Sequence, residues 1–353
     1  MKALNRLIFL RTIIFILLGF SLFTMWSFAP SSALAEAKVD FKVANYHPPA
    51  FVTQQDILDP WSKMVQERTG GKVKFTHYTG GSLVGARDIY SAAVKGLSDI
   101  SHGYTGHTPG RFPLAEVVSL PFLGIKTALH GSRVVWALYE KFPEIQAEFD
   151  DVHCLWLVTH EPFVFHTKKP IRSVEDFKGM KIRVPGSYAT YLKIIGATPV
   201  TMPGSEAYMA LQKGIIEGNT GDWTQLHTYK QQEVTDYTTV VHFITGPFFV
   251  VMNKEKYESL SPEVRSIIDE LSGKWGVEFA GKAWNMREKE YYDEAKGKPG
   301  RELIYFSEEE TKKLKDRFAD TYDEWVKAQE AKGLPGREIF EETIKLIAET
   351  PSD

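Results

Sequence analysis

Segments with strand character and segments with helix character alternate along residues 40–104. The strand-like segments are rich in β-branched and aromatic residues, and they cover residues 40–45 (DFKVAN), 72–78 (KVKFTHY) and 98–104 (SDISHGY). Helices are predicted between them, over about 60–67 and 86–95, and glycines follow both helices, as is common at helix C-termini. This succession of strands and helices predicts an α/β fold with a parallel sheet.

The same alternation returns after residue 152 and predicts a second α/β lobe. Strands are expected within 152–165 and over 181–184, 198–201, 215–216 and 240–243, with helices over 187–195 and 206–212. A chain of this length usually divides its hydrophobic core between two domains. Two lobes imply a cleft between them, where a ligand can bind.

The C-terminal third contains a strong helix start at Ser261 and Pro262, where an N-cap residue precedes a proline at the first helical position. Apolar residues then recur at helical spacing, and they predict one long helix near 262–295. About thirty residues at 1.5 Å per residue would extend about 45 Å. A helix of that length can lie across both lobes, with Gly276 and Gly281 as positions where it could bend.

The N-terminal residues 1–35 have the parts of a secretory signal peptide: basic residues, an apolar run and an A-x-A sequence that ends at Ala35. Cleavage there predicts a periplasmic protein of 353 − 35 = 318 residues. The alternative is a retained membrane helix, since the apolar run is close to the lower limit for crossing a bilayer. Removal of Lys2, Arg6 and Arg11 changes the formal net charge from −3 to −6, and this mild acidity argues against a nucleic-acid partner.

The sequence lacks the motifs of common enzyme and cofactor sites. It has no Gly-rich phosphate loop, nucleophile elbow, H-E-x-x-H or C-x-x-C pattern. The histidines lack metal-ligand spacing, and the only cysteine, Cys154, cannot form an internal disulfide. We therefore expect a protein without enzymatic activity, metal or cofactor. A secreted hydrolase that uses a pair of carboxylates is the alternative.

Several motifs occur in a fixed order along the chain. They include PIRSVEDFKGMKIRVPGS and IGATPVTMPGSEAYMALQKGIIEG within residues 170–218, and ERTGGKVKFTHYTGGSLVG, LPFL and FFVVMNKEKYESLSPEVR elsewhere. With these motifs the chain resembles the solute-binding proteins of tripartite ATP-independent periplasmic (TRAP) transporters, which include dicarboxylate-binding proteins. The resemblance covers nearly all of the mature chain.

The resemblance implies a two-lobe periplasmic-binding-protein fold, similar to type II, with the lobes joined by strands and the long helix. Residues 36–160 with 249–288 are predicted to form the first lobe, and residues 161–248 with 289–353 the second. The resemblance also implies capture of an organic acid and its delivery to the small and large subunits of a TRAP membrane permease, and we expect a monomer. The binding protein of an ATP-driven (ABC) importer or of a sensor kinase is the alternative.

In this family, the arginine of the K-I-R-V-P strand binds the ligand carboxylate through two parallel hydrogen bonds, and Arg183 occupies that position. Pattern alone favours a solvent-facing arginine, because arginines are mostly exposed, whereas the resemblance implies an arginine in the cleft. The planar guanidinium suits a carboxylate and stays charged at physiological pH. Pro185 and Gly186 would end the strand, so that the N-terminus of the next helix could point at the same anion.

Three positions depart from the better-known acid-binding members. Phe163 stands where a second arginine is common, Gly204 where an aromatic residue is frequent, and Gly221 where an asparagine is frequent. A pocket with one arginine near Phe163, Tyr104 and Trp223 predicts a monocarboxylate with an apolar or aromatic tail. A dicarboxylate or a 2-oxo acid is the alternative.

Asn45, Asn219 and Asp222 complete the set of candidate ligand-binding residues. Asn45 can instead form a turn at the end of a strand, and Asp222 is better explained as a helix cap. The aromatic candidates can also be core residues. Among them, Trp223 can cover a hydrophobic hinge.

Overall fold

The computed structural model describes residues 39–353, and its strands form two β-sheets. The predicted signal peptide lies outside these residues, and among them no helix has the length and hydropathy to cross a bilayer. The strands are β1 (Val39–Asn45), β2 (Val73–Tyr78), β3 (Ile100–Tyr104), β4 (Val152–Thr159), β5 (Val164–Thr167), β6 (Lys181–Val184), β7 (Thr198–Thr201), β8 (Gly218–Gly221), β9 (Tyr237–Val240), β10 (Pro247–Asn253) and β11 (Glu302–Tyr305).

The α-helices connect and cover the strands, and short 3₁₀ or π turns precede several of them. They are α1 (Asp59–Arg68), α2 (Ile89–Val94), α3 (Ala128–Lys141), α4 (Pro143–Ala147), α5 (Ala189–Ile194), α6 (Ala207–Gln212), α7 (Trp223–Thr228), α8 (Lys254–Glu258), α9 (Pro262–Glu270), α10 (Gly273–Gly297), α11 (Glu308–Asp316), α12 (Thr321–Glu330) and α13 (Gly336–Glu349).

Sheet A has the strand order β2-β1-β3-β10-β4, and sheet B has the order β11-β9-β5-β8-β6-β7. In sheet A, β1 runs parallel to β2 and β3, whereas β10 is antiparallel to β3 and β4. In sheet B, β6 is parallel to β7 and β8, and β5 is antiparallel to β8 and β9. Both sheets are therefore mixed, unlike the parallel sheet that the sequence predicts, because β5 and β10 enter their sheets directly from the other lobe.

Each sheet carries its own helices and forms one lobe, which confirms the predicted two-lobe α/β architecture. The chain crosses from sheet A to sheet B over residues 160–163 and returns over 241–246. These two crossover segments bond to each other: Phe163 N donates to Ile244 O (2.7 Å), and Phe243 N donates to Phe163 O (2.8 Å). The exact lobe boundaries given above stay a prediction.

Two strands of sheet B lie at other residues than the sequence predicts. β8 covers 218–221 rather than 215–216, because Ile216 packs into a small apolar cluster with Ala207 and Leu211. β9 covers 237–240, whereas the sequence predicts a strand over 240–243. A short apolar run does not distinguish a strand from a loop that packs against the core.

The predicted long helix is interrupted. α9 ends at Glu270 and α10 begins at Gly273, so the prediction of one helix near 262–295 is corrected to two helices, of which α10 has 25 residues. Gly273 has a positive φ of 55°, a conformation that favours glycine and departs from the helical path. Trp61 Nε1 donates to Leu271 O (2.9 Å) and holds the chain at this break.

Two glycines let α10 approach the first lobe closely. A Cβ at Gly276 would lie 2.8 Å from the Trp156 ring on β4, and a Cβ at Gly281 would lie 2.7 Å from Leu129 on α3. Further along α10, Glu288 accepts hydrogen bonds from the first two amides of α7, which follows β8 of the second lobe. Helix α10 therefore contacts both lobes.

The last helix, α13, packs against α3 of the first lobe, where His130 Nε2 contacts Ile347 O (3.1 Å). The predicted assignment of residues 289–353 to the second lobe stays a prediction, and this helix has contacts with the first lobe. The chain is already beside the first lobe at Tyr322, whose hydroxyl donates to Pro121 O (2.6 Å).

Candidate ligand-binding site

Arg183 is the third residue of β6, which lies between β7 and β8 in sheet B. Its neighbours Ile182 and Val184 are fully buried, and Arg183 itself is only 1% exposed. Strand alternation directs Arg183 to the opposite face from these neighbours, and that face is covered as well. β6 ends at Val184, directly before Pro185, and a 3₁₀ turn followed by α5 continues the chain.

Backbone and amide oxygens fix the orientation of the Arg183 guanidinium. Nε donates to Met202 O (2.7 Å), and Nη1 donates to Thr220 O (3.3 Å) and Asn219 Oδ1 (3.4 Å). Within residues 39–353, Nη2 has no hydrogen-bond partner, and no Asp or Glu carboxylate forms an ion pair with the guanidinium. Burial lowers the pKa of Arg183 to about 10, so the side chain still carries its charge at neutral pH. A buried cation without a counter-ion favours an anionic ligand.

Arg183 borders a small cavity with a free volume of about 10 Å³. This is about the room that one water molecule needs, so the lobes must move apart before an organic acid can enter. Its lining consists of Tyr46, His47, Tyr104, His107, Phe163, Arg183, Pro185, Gly204, Gln225, Tyr229 and Phe248.

The rest of the cavity lining carries no second positive charge at neutral pH. Burial lowers the pKa of His107 to about 3, with further contributions from Arg183 and Arg87, and burial lowers the pKa of His47 well below its usual value. Both imidazoles are therefore neutral and can only form hydrogen bonds. The Arg183 guanidinium is therefore the one positive charge among the residues that line this cavity.

Four of the predicted residues lie together around this cavity: Arg183, Phe163, Tyr104 and Gly204. The Phe163 ring stacks on His160 with a centroid separation of 3.9 Å, and the Tyr104 hydroxyl bonds to His160 Nε2 (2.9 Å). A Cβ at Gly204 would lie 2.6 Å from Gln225 Oε1 and 3.5 Å from Arg183 Nη1. Glycine at this position therefore leaves room for Gln225 beside the guanidinium.

Two predicted residues, Asn219 and Asn45, lie behind the cavity lining. Asn219 accepts from Arg183 and donates to Gln231 Oε1 (2.8 Å) through Nδ2. Asn45 donates to Gln54 Oε1 (3.1 Å) and accepts from the backbone amide of the residue two positions ahead. Both asparagines support lining residues rather than bordering the cavity.

Two further predicted residues, Asp222 and Trp223, do not border the Arg183 cavity. Asp222 caps α7, where its Oδ1 accepts from Gln225 N (2.8 Å), in agreement with the capping alternative. Trp223 begins that helix and turns away from the cavity. Its ring packs edge-on against Tyr292 of α10 with a centroid separation of 5.2 Å, in an apolar cluster beside the crossover segments.

Seven lining residues were missed by the sequence analysis: Tyr46, His47, His107, Pro185, Gln225, Tyr229 and Phe248. Several of them follow the carboxyl ends of strands, directly after β1 and β6 and shortly after β3. Ligands of open α/β sheets commonly bind at these strand ends, so this rule could have identified them. Gln225 and Tyr229 reach the cavity because of how α7 packs, and nothing in the sequence around them indicates this position.

A family profile and solved structures match this chain over most of its length. The profile of the family described as bacterial extracellular solute-binding protein, family 7, matches residues 43–329. A TRAP solute-binding protein from Rhodoferax ferrireducens, solved with copurified benzoate, is similar with a TM-score of 0.83 and 30% identity, covering 88% of this chain and 98% of that chain.

Two further solved structures have comparable similarity. A marine metagenome TRAP solute-binding protein specific for aromatic acid ligands, solved with metahydroxyphenylacetate, has a TM-score of 0.84 and 29% identity, covering 88% of this chain and 99% of that chain. A TRAP solute-binding protein from Bordetella bronchiseptica, solved with (R)- and (S)-mandelate, has a TM-score of 0.82 and 27% identity, with coverage of 88% and 99%.

The family match, the two-lobe fold and the similar structures agree with one another. Proteins of this family are periplasmic, bind small organic acids and work with a membrane permease. The chain therefore belongs to the bacterial extracellular solute-binding proteins of family 7, and it is a TRAP-transporter solute-binding protein.

Proposed function

We propose that this protein captures a small monocarboxylate with an apolar or aromatic tail and delivers it to the small and large subunits of a TRAP permease. We also propose that it acts as a monomer after cleavage of its signal peptide near Ala35. The observation that carries the proposal is the buried Arg183 guanidinium, which borders the cavity and has no carboxylate partner within residues 39–353. An acid that binds there would supply the missing negative charge.

The remaining cavity walls support an apolar tail. Phe163, Phe248, Tyr104 and Tyr46 provide aromatic surface, and aromatic rings prefer stacked or edge-to-face contacts with one another. Apolar burial is needed as well as charge: micromolar affinity requires about −8 kcal/mol, of which a charge-assisted hydrogen bond supplies about 1.5–3 kcal/mol. Benzoate and mandelate, the acids bound in two of the similar structures, each combine one carboxylate with an aromatic ring.

A thermal-shift screen of the purified protein against organic acids tests the proposed function. An acid present at 100 times its dissociation constant should stabilise the protein by about 2.7 kcal/mol. We expect the largest increases in melting temperature from aromatic monocarboxylates such as benzoate and mandelate, and smaller ones from succinate and pyruvate. If succinate or pyruvate gives the largest increase, the dicarboxylate or 2-oxo acid alternative replaces this proposal.

Replacing Phe163 by arginine should change the preference from singly to doubly charged acids. The variant would place a second cation beside the cavity, where Phe163 now stacks on His160. We expect the ratio of dicarboxylate to monocarboxylate affinity to rise at least tenfold, or about 1.4 kcal/mol, as measured by calorimetry.

Phe163→Leu is the matched control for this substitution, because it also removes the ring but adds no charge. It should weaken aromatic acids without favouring dicarboxylates. An unchanged ligand ranking in the Phe163→Arg variant would show that Phe163 does not contact the ligand.

A further inference from the structure

Two tyrosines border the Arg183 cavity from opposite lobes. Tyr46 directly follows β1 of sheet A, and Tyr229 directly follows α7 of the second lobe. Both side chains line the same small cavity as Arg183. Their phenol groups are therefore available to a ligand that lies between the lobes.

The hydroxyl oxygen of Tyr229 is buried and has no hydrogen-bond partner within residues 39–353. The Tyr46 hydroxyl likewise makes no hydrogen bond in this part of the chain, although the side chain is only 7% exposed. Leaving a buried hydroxyl unpaired is unfavourable, and buried polar groups in proteins usually find a partner. The buried Tyr229 hydroxyl therefore points to an acceptor that arrives with the ligand, and the Tyr46 side chain, whose hydroxyl is also unpaired, borders the same cavity.

Both hydroxyls are protonated donors that lie within electrostatic range of the Arg183 guanidinium. Burial raises the pKa of Tyr46 and of Tyr229, and the positive charge of Arg183 partly offsets this by lowering the pKa of both. A carboxylate bound to the guanidinium would place its oxygens near these donors. An ionised carboxylate offers about four lone-pair sites, so it can accept from arginine and from both phenols at once.

Tyr104, which borders the cavity, and Tyr188, which packs against Tyr104, already have partners inside the protein. The Tyr104 hydroxyl bonds to His160 Nε2 (2.9 Å), and the Tyr188 hydroxyl bonds to Ser119 Oγ (3.1 Å). These two hydroxyls do not need a ligand to satisfy them. Among the described tyrosines that line the cavity, the unpaired hydroxyls are those of Tyr46 and Tyr229.

We infer that the hydroxyls of Tyr46 and Tyr229 donate hydrogen bonds to the carboxylate that Arg183 binds, one hydroxyl from each lobe. This inference rests on the proposed function. It adds that the ligand carboxylate itself contacts both lobes and so favours closure of the cleft. Arg183 and Tyr229 belong to the second lobe and can bind the carboxylate while the cleft is open. Tyr46 belongs to the first lobe and reaches the carboxylate only when the lobes close, so the ligand binds the closed form more tightly.

Tyr229→Phe and Tyr46→Phe test the inference, because each removes one hydroxyl and keeps the ring. Benzoate and mandelate are the probes, with affinities from calorimetry and dissociation rates from stopped-flow fluorescence. We expect each variant to lose at least about tenfold in affinity, as is typical for a hydrogen bond to a charged group. Tyr46→Phe should mainly accelerate dissociation, since its contact forms after closure.

Tyr188→Phe is the matched control, because it removes a hydroxyl that already bonds to Ser119. It should leave the affinity unchanged, and the melting temperature of each ligand-free variant shows whether it folds. If Tyr229→Phe fails to fold, Tyr46→Phe decides. If the wild type binds the acids and the folded Tyr46→Phe and Tyr229→Phe variants bind them with the same affinity, the inference is overturned but the proposed function is not. Absence of any acid binding by the wild type would overturn the proposed function and the inference with it.

Discussion

Replacing Arg183 by alanine should weaken the binding of an organic acid by at least about 100-fold, or about 2.8 kcal/mol. The guanidinium is buried and borders the cavity, so its removal leaves the ligand carboxylate buried without its main partner. Losses of this kind typically cost about 2–5 kcal/mol. Arg183→Lys should also weaken binding strongly, because a lysine offers a point charge instead of a planar fork. Calorimetry with benzoate and mandelate measures both variants.

Arg301 provides a matched control for Arg183. Burial lowers the pKa of Arg301 to about 10 as well, but its guanidinium donates to Thr238 Oγ1 (2.8 Å) and does not border the cavity. Arg301→Ala should therefore reduce stability and leave the affinity for acids unchanged. Equal acid affinities in the wild type, Arg183→Ala and Arg183→Lys would refute the assigned role of Arg183.

Replacing Trp284 by alanine should reduce the free energy of unfolding by about 3–5 kcal/mol, as is typical for a buried aromatic residue. Trp284 is fully buried on α10, and its ring packs against Phe248 of β10 with a centroid separation of 5.1 Å. Its Nε1 also donates to Glu288 (3.2 Å), the residue that binds the first amides of α7. Urea denaturation followed by circular dichroism measures the loss.

Trp275 is the matched control, since it lies on the same helix but is 36% exposed. Trp275→Ala removes a stacking contact with Phe279 (4.9 Å between centroids) and little buried surface. We expect a loss of about 1 kcal/mol or less. Similar losses in the two variants would show that burial of Trp284 does not dominate its contribution.

The sequence predicts the α/β class and most strand positions because local residue preferences are strong in this chain. β7 lies over 198–201 as predicted, and β1 and β3 differ from the prediction by one or two residues at their ends. The break between α9 and α10 is harder to predict, because it depends on the positive φ of Gly273 and on a hydrogen bond from the distant Trp61. Long-range contacts of this kind have no periodic signal in the sequence.

The candidate site is predicted in part. The motif around Arg183 identifies the arginine, and its two neighbours in β6 indicate which face it occupies. Tyr46 and Tyr229 are separated by more than 180 residues in the sequence, and only the packing of the two lobes brings them to one cavity. Trp223 does not border the cavity, because it begins α7 directly after the Asp222 cap and packs in an apolar cluster with Leu226 and Tyr291.

The close packing at Gly276 and Gly281 restricts how the cleft can open. Any side chain at these positions would collide with Trp156 or Leu129, so the two glycines let the first half of α10 lie close against the first lobe. The second half is tied to α7 through Glu288. Helix α10 therefore acts as a strut between the lobes, and a change in the angle between them has to bend this helix or break its Glu288 contacts.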